Sequence, residues 1–376
     1  MPYRPRDVYK GRRKYKVPLT IILFVFVALI IGAVALFYIL QQFVVYDANG
    51  VTLVLPWEEN TADTAQAESD PAAEPTPDTR APVEFEIVFL EPDFSSMSYA
   101  VDWEPTATRS LYLSAAAAAD SATLSSSISE AVSAGCTGIV LQLKDSSGQL
   151  LWPSATDMAI AYATGGSMDY TAYLDTAHSQ GLTVAACLSI CADNLLAERD
   201  WLVTLGTESA RTYTDANGIS WLDPYNEDII SYAVDMAMEL AALGFDEIIL
   251  DELRIPTDSP LPLVYTTTLT DETSPVTAVC RLGQRVCEAL DGSGVLVSAM
   301  LDAEGLRSGL GEQSGQDPTS FAHLFDRLYC RTDSAQAASD LALATAGITD
   351  GTGSCRFVPV CYDIPDGMES WSRIIS

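Results

Sequence analysis

"WLDPYNEDIISYAVDMAMELAALGFDEIILDELRIP", residues Trp221 to Pro256, reads as a helix, a glycine stop and a buried strand that ends in two carboxylates and an arginine. Asp223 can cap a helix that starts at Pro224, and Glu227 and Asp228 fall in its first turn, where acids complement the helix dipole. Apolar residues then recur at 229, 230, 233, 234, 237, 240 and 241, one face of a helix, before Gly244 supplies the C-cap. A strand over 246–251 follows at once. Side-chain alternation places Glu247, Ile249 and Asp251 on one face and Ile248, Leu250 and Glu252 on the other.

The same grammar extends in both directions. Strands are expected at 110–114, 138–144, 182–190, 295–300, 327–330 and 356–362, and helices at 121–134, 169–180, 275–290 and 334–346, each stopping near a glycine. Apolar strands separated by helices mean a parallel sheet covered on its outside, so the fold class is α/β. These strands and a further run at 83–92 come close to the eight of a (β/α)8 barrel, a fold whose chemistry sits at the C-terminal strand ends. Asp251 and Glu252 would then lie at the mouth.

The N-terminal part has a different character. Residues 1–16 form a basic tail of net charge +6, expected to be cytoplasmic, and the uncharged run over 17–45 contains a largely apolar core of 22 residues from Leu19 to Leu40. About 20 such residues cross a bilayer. The run ends in bulky residues and lacks a small-residue cleavage site, which predicts an uncleaved signal anchor with everything beyond it extracytoplasmic. Residues 46–57 read as a short strand pair turning at Asn49-Gly50, 58–82 as a flexible acidic linker, and 83–376 as the barrel-like domain. Beyond the tail, 13 basic residues face 50 acidic ones. Such a field excludes nucleic acid as a partner. All eight cysteines lie beyond the apolar run without close metal-ligand spacing, so no metal and no cofactor is expected; Cys355 and Cys361 form the one disulfide candidate.

Candidate chemistry gathers at the strand ends. Asp251, Glu252 and Arg254 follow one strand, and Arg254 can return to either carboxylate. Lys144, the only lysine outside the tail, and Asp145 follow another and lead to Trp152; Asp302, Tyr329, Arg331 and Asp363 complete the set. Asp145 can equally cap the Ser-Ser-Gly turn. Paired carboxylates with aromatic surfaces suit glycosidic bonds. No nucleophile elbow, zinc-protease motif or phosphate loop is present, and His178 and His323 are solitary.

"WLDPYN", "GFDEIILD" and "LRIP", with "GIVLQLKDSSGQLLW", resemble the glycosyl hydrolase-like TIM-barrel domain family of bacterial envelope-associated proteins, over about residues 109–363. The resemblance carries the family's strand-end aspartate onto Asp251, its arginine onto Arg254, its proline onto Pro256, and its lysine-acid pair onto Lys144 and Asp145. This chain departs from the family at Glu252, where an aromatic residue is usual, at Gln142, near Met300, and in "RLYCRTD". The helix and strand expected after Asp363 look missing or shortened, which leaves the eighth unit to strand 83–92, to an open barrel or to a partner. The apolar run, the strand-end residues and the resemblance together lead to the expectation of an anchored glycoside hydrolase acting on an envelope or environmental polysaccharide, with Asp251, Glu252 and Asp145 as catalytic candidates and Arg254, Lys144, Trp152, Asp302, Tyr329, Arg331 and Asp363 binding substrate. The alternative is a degenerate carbohydrate-binding or envelope-structural module, with an envelope protein as a further partner.

Overall fold

Eight short runs of aliphatic and β-branched residues form parallel strands that close into one barrel in chain order. They are β1 (Arg109–Leu113), β2 (Gly138–Lys144), β3 (Thr183–Ser189), β4 (Glu247–Asp251), β5 (Leu296–Leu301), β6 (Leu328–Arg331), β7 (Phe357–Cys361) and β8 (Trp371–Ile375). The structure is a computed structural model that describes residues 44–47, 50–53, 106–259, 262–265, 273–332, 337, 356–364 and 367–375. The chain divides into two compact units, 1–86 and 87–376, and the barrel belongs to the second.

The pleat sorts the core into two layers. Tyr112, Val140, Ala185, Cys187, Ile249, Met300, Tyr329, Val358 and Val360 fill the barrel interior, while the alternate residues of the same strands pack outward against the helices. Between strands run α1 (Ala115–Ala119), α2 (Ser121–Ser133), α3 (Asp157–Tyr162), α4 (Thr171–Ser179), α5 (Asn194–Arg199), α6 (Glu227–Leu243), α7 (Pro275–Leu290), α8 (Ala303–Arg307), α9 (Gly311–Ser314) and α10 (Pro318–Leu324). Helix α6 starts at Glu227 and not at Pro224. Asp223 is occupied in the preceding turn, accepting from the Tyr225 N–H at 2.9 Å, and Asn226 is the cap, accepting from the Asp228 N–H at 2.9 Å. Gly244 closes the helix at φ +105°, a conformation in which other side chains are strained.

The barrel is complete where the sequence suggested a deficit. "WSRII" forms β8, which pairs with β1 from Trp371↔Arg109 to Ile375↔Leu113 and with β7 at Val360↔Ser372 and Cys361↔Arg373. Its polar Ser372 disguises a barrel strand, but the hydroxyl is buried and meets Ser110 Oγ at 2.8 Å. No helix separates β7 from β8 among the described residues. The strand expected at 83–92 lies outside the described residues and is not required for closure.

The expected membrane anchor is corrected. Among the described residues no helix is long and apolar enough to cross a membrane. Val44 and Val45, the end of the apolar run, belong instead to a strand, Val44–Asp47, that pairs antiparallel with Gly50–Leu53. Their β-branched side chains favour extended backbone. The remainder of 17–45 lies outside the described residues, as do the basic tail and the acidic linker, and the helix placed at 334–346 does so except for Ala337. The spanning helix, the membrane as a partner and the single-pass extracytoplasmic topology are therefore withdrawn.

Candidate active site

Strand β4 delivers Asp251 to the C-terminal end of the barrel interior, on the face shared with Glu247 and Ile249. Its partner is Arg331, two residues beyond the buried Tyr329 on β6. Arg331 Nη1 donates to Asp251 Oδ1 at 3.0 Å and Nη2 to Oδ2 at 2.6 Å, a two-pronged ion pair whose carboxylate is 4% exposed. Arg331 also donates to the Tyr112 hydroxyl at 2.8 Å. Arg254, which the sequence left open to either carboxylate, pairs with Glu252.

Glu252 breaks the strand. Its φ is +48°, a left-handed conformation that costs a residue with a Cβ about 1–2 kcal/mol. Neighbours hold it there. The Glu252 N–H donates to Asp251 Oδ1 at 2.9 Å, and its carbonyl accepts from the N–H groups of Cys191 and Arg254. The turn swings its carboxylate toward Arg254, whose Nε donates to Oε2 at 2.8 Å. Trp221 supports that guanidinium from beneath, 4.6 Å from its ring centroid. Burial raises the Glu252 carboxyl above the usual range, the Asp251 charge beside it adds to the shift, and Arg254 opposes both.

Asp302, at the end of β5, reaches the same arginine, with 3.6 Å between its Oδ2 and Arg254 Nη1. Its other oxygen caps α8 through the Glu304 N–H. A side chain at Gly305 would press within 2.7 Å of Asp302 Oδ2, so the glycine leaves room for the carboxylate. Two contacts and the width of one guanidinium keep the Glu252 and Asp302 carboxylates within roughly 9 Å of each other. Both line a cavity of about 240 Å³ together with Asp251, Arg254, Arg307 and Arg331.

Gln316 ties this cavity together and was missed in the sequence. Buried and uncharged, it donates from Nε2 to the carbonyls of Leu253 at 3.2 Å and Met300 at 3.1 Å, and its Oε1 accepts from the Asp302 N–H at 2.8 Å. One amide thus links the ends of β4 and β5. Glu304 and Arg307, also overlooked, stand on the cavity wall. An isolated glutamine carries no motif, and only the closed barrel brings these residues to one wall.

Other sequence candidates lie outside the cavity. The ladder shifts register between Gln142 and Lys144, and Lys144 is sealed away, its Nζ 2.8 Å from Asp193 Oδ2 and 2.6 Å from the Ser189 carbonyl. Asp145 caps its own turn through the Ser147 N–H at 2.9 Å. Trp152 is buried against α6, donating to Glu239 at 3.0 Å. Tyr329 sits in the closed barrel interior beneath Arg331, and Asp363 is exposed on the loop after β7. Cys361 is a free thiol that contacts the Asp363 carbonyl, while Cys355 lies outside the described residues. Among the described residues no group of His, Cys, Asp and Glu is arranged to hold a metal ion.

Comparison with known proteins bears on the family and the fold. A family model described as "Putative glycosyl hydrolase domain" matches residues 110–328, more than half of the chain. Among solved structures, the PgaB (BpsB) glycoside hydrolase domain from Bordetella bronchiseptica is 11% identical at a TM-score of 0.51, covering 72% of this chain and 94% of that one, and so shares the fold. A hypothetical protein from Ruminiclostridium thermocellum is 24% identical over 50% of this chain and 96% of its own, at a TM-score of 0.45. A variant of the glycoside hydrolase domain of PelA from Pseudomonas aeruginosa is 13% identical over 69% and 85%, at 0.40. No curated protein matches the sequence.

Proposed function

The chain belongs to the family described as "Putative glycosyl hydrolase domain", and from that premise we propose that its barrel cleaves or rearranges a glycosidic bond in a polysaccharide by paired-carboxylate chemistry. Glu252 is the proton-holding member of the pair and Asp302 its partner. The observation that carries this reading is Glu252 itself. It is a carboxyl held in a strained turn at the barrel mouth, pushed toward its protonated form and lining a cavity with a second carboxylate.

A protonated Glu252 can donate to the glycosidic oxygen as the leaving group departs. Asp302 then acts on the opposite side of the sugar ring, as base toward water or as nucleophile, according to the final separation of the two groups. Arg254 touches both and holds them in register, and Asp251, committed to Arg331, supplies the nearby negative charge that helps Glu252 keep its proton. Asp145 and Lys144 have no part in this scheme.

The pairing of Glu252 with Arg254 and of Asp251 with Arg331 also favours a second reading, a carbohydrate-binding module without turnover. The deciding experiment incubates the full chain, Glu252→Gln and Asp302→Asn with a polysaccharide panel that includes peptidoglycan, and measures new reducing ends. Release by the parent chain that falls by about 10²–10⁴-fold in Glu252→Gln supports hydrolysis. Binding without release supports the second reading, and undiminished release by Glu252→Gln refutes the role given to that residue.

A further inference from the structure

A second concavity opens on the loops that follow β3 and β4. A two-stranded ribbon, Gly206–Thr207 with Leu263–Val264, ties these loops together beside a cavity of about 550 Å³, within the size range of small-molecule sites. Trp201, Leu202 and Val264 line it and are 47%, 56% and 47% exposed. One isolated apolar surface residue needs no explanation, but three converging on a single groove do.

The exposure of Trp201 is built in. The short 3₁₀ turn Trp201–Val203 is capped by Asp200, whose Oδ1 accepts from the Leu202 N–H at 2.9 Å and whose Oδ2 accepts from the Tyr162 hydroxyl. Gly206 has no room for a side chain, since a Cβ there would lie 2.8 Å from the Arg211 carbonyl oxygen, so the loop folds back closely. That return brings the Arg211 guanidinium to 4.7 Å from the Trp201 ring centroid. A half-exposed indole with a fork of N–H donors stacked over one face, and the hydroxyls of Thr207 and Ser209 along the groove, suits a sugar ring against the remaining indole surface. The apolar C–H face of the ring stacks, and its hydroxyls find donors and acceptors at the edge.

Charge selects among sugars. Glu208 and Arg211 offset each other within the groove, and the chain as a whole carries a net charge of -31, which repels polyanions. The groove shares no lining residue with the carboxylate cavity, but a buried contact links their walls. The Leu205 N–H donates to the Trp221 carbonyl at 2.8 Å, and the Trp221 indole carries the Arg254 that binds Glu252. We infer that this groove holds a neutral polysaccharide strand at a subsite separate from the carboxylate cavity, an inference that rests on the carbohydrate reading above. The enzyme would then grip its substrate away from the bond at issue.

Affinity electrophoresis of the full chain through gels containing hydroxyethyl cellulose, xylan, glycol chitin or soluble starch tests this. Retardation is expected in at least one gel, weakened about tenfold in Trp201→Ala and kept in Trp201→Phe. Should Trp201→Ala lose cooperative unfolding, Arg211→Ala carries the same expectation with the turn intact. No retardation in any gel, or retardation that Trp201→Ala leaves unchanged, overturns the inference; in the latter case affinity lost with Asp302→Asn assigns binding to the carboxylate cavity alone. Trp201-dependent retardation without new reducing ends upholds the groove and counts against hydrolysis, so the two readings fail separately.

Discussion

Lys144 offers the sharpest test of how structure redistributes the roles that sequence suggests. Its ammonium and the Asp193 carboxylate are both wholly buried, 2.8 Å apart, and the ammonium also donates to the Ser189 carbonyl. Lys144→Met leaves Asp193 as a buried charge without its counterion, which costs about 3–5 kcal/mol. At about 2–4 °C per kcal/mol for a domain of this size class, the melting temperature falls by roughly 10 °C. Asp193 also caps α5 through the Leu196 N–H at 2.7 Å. In the double variant Lys144→Met/Asp193→Leu the uncompensated charge disappears and chiefly the cap is lost, a cost of about 1 kcal/mol. The double variant should therefore be more stable than the single one. Urea unfolding of the parent chain and the two variants, followed by tryptophan fluorescence, measures the difference. A Lys144→Met penalty below about 1 kcal/mol, or a double variant no better than the single, would refute the buried-pair reasoning. Weakened polysaccharide binding by a folded, undestabilised Lys144→Met would instead restore the lysine to the substrate site.

Glu252 holds its proton more tightly folded than unfolded, so its contribution to stability is fully present below the unfolded pKa and declines as pH rises through the folded value. Urea midpoints across pH 4–8 should show this slope in the parent chain and less of it in Glu252→Gln, and turnover should fall over the same rise in pH as the acid is lost. Gln316→Leu removes three buried hydrogen bonds between the ends of β4 and β5. It should lower stability by about 2–4 kcal/mol and reduce turnover more than binding; a loss of stability with unchanged turnover would show that the link does not position Asp302. Gly283→Ala places a Cβ 2.5 Å from Phe325 Cζ, where α7 meets α10. Thermal unfolding should register about 1–3 kcal/mol of overpacking, and an unchanged midpoint would mean that Phe325 moves aside freely.

What sequence conveyed and what it concealed divide along the range of the interactions. Helix α7 reads from Ser274-Pro275 to Leu290, and α6 stops at Gly244, because caps and periodicity are local. The alternation of β4 likewise gave the face of Asp251. The sequence left Arg254 open to either carboxylate because it is near both, and it pairs with Glu252, whereas Arg331 becomes a neighbour of Asp251 only when β6 closes the same interior. Gln316 and β8 were obscured for the same reason. A glutamine on a loop and a strand carrying Ser372 look unremarkable until the barrel gives them partners.

At the end of β4 alternation gave the face of Asp251, and the proposal above moves the emphasis among the candidate carboxylates to Glu252. Pleating turns Asp251 inward, and an inward acid at the mouth invites a catalytic reading. Arg331, however, already neutralises it in two-pronged fashion, and that pairing leaves Asp251 little exposed. Regular alternation would put Glu252 on the outer face of the strand, tipped toward the rim of the mouth. A single left-handed residue cancels that geometry, ends the strand and turns the next carboxylate onto the cavity wall. Such a φ is rare for glutamate, so alternation could not anticipate it, and neighbouring backbone groups are needed to sustain it. Strain of about 1–2 kcal/mol, held in place by Cys191 and Arg254, is thus what converts a strand terminus into a candidate acid.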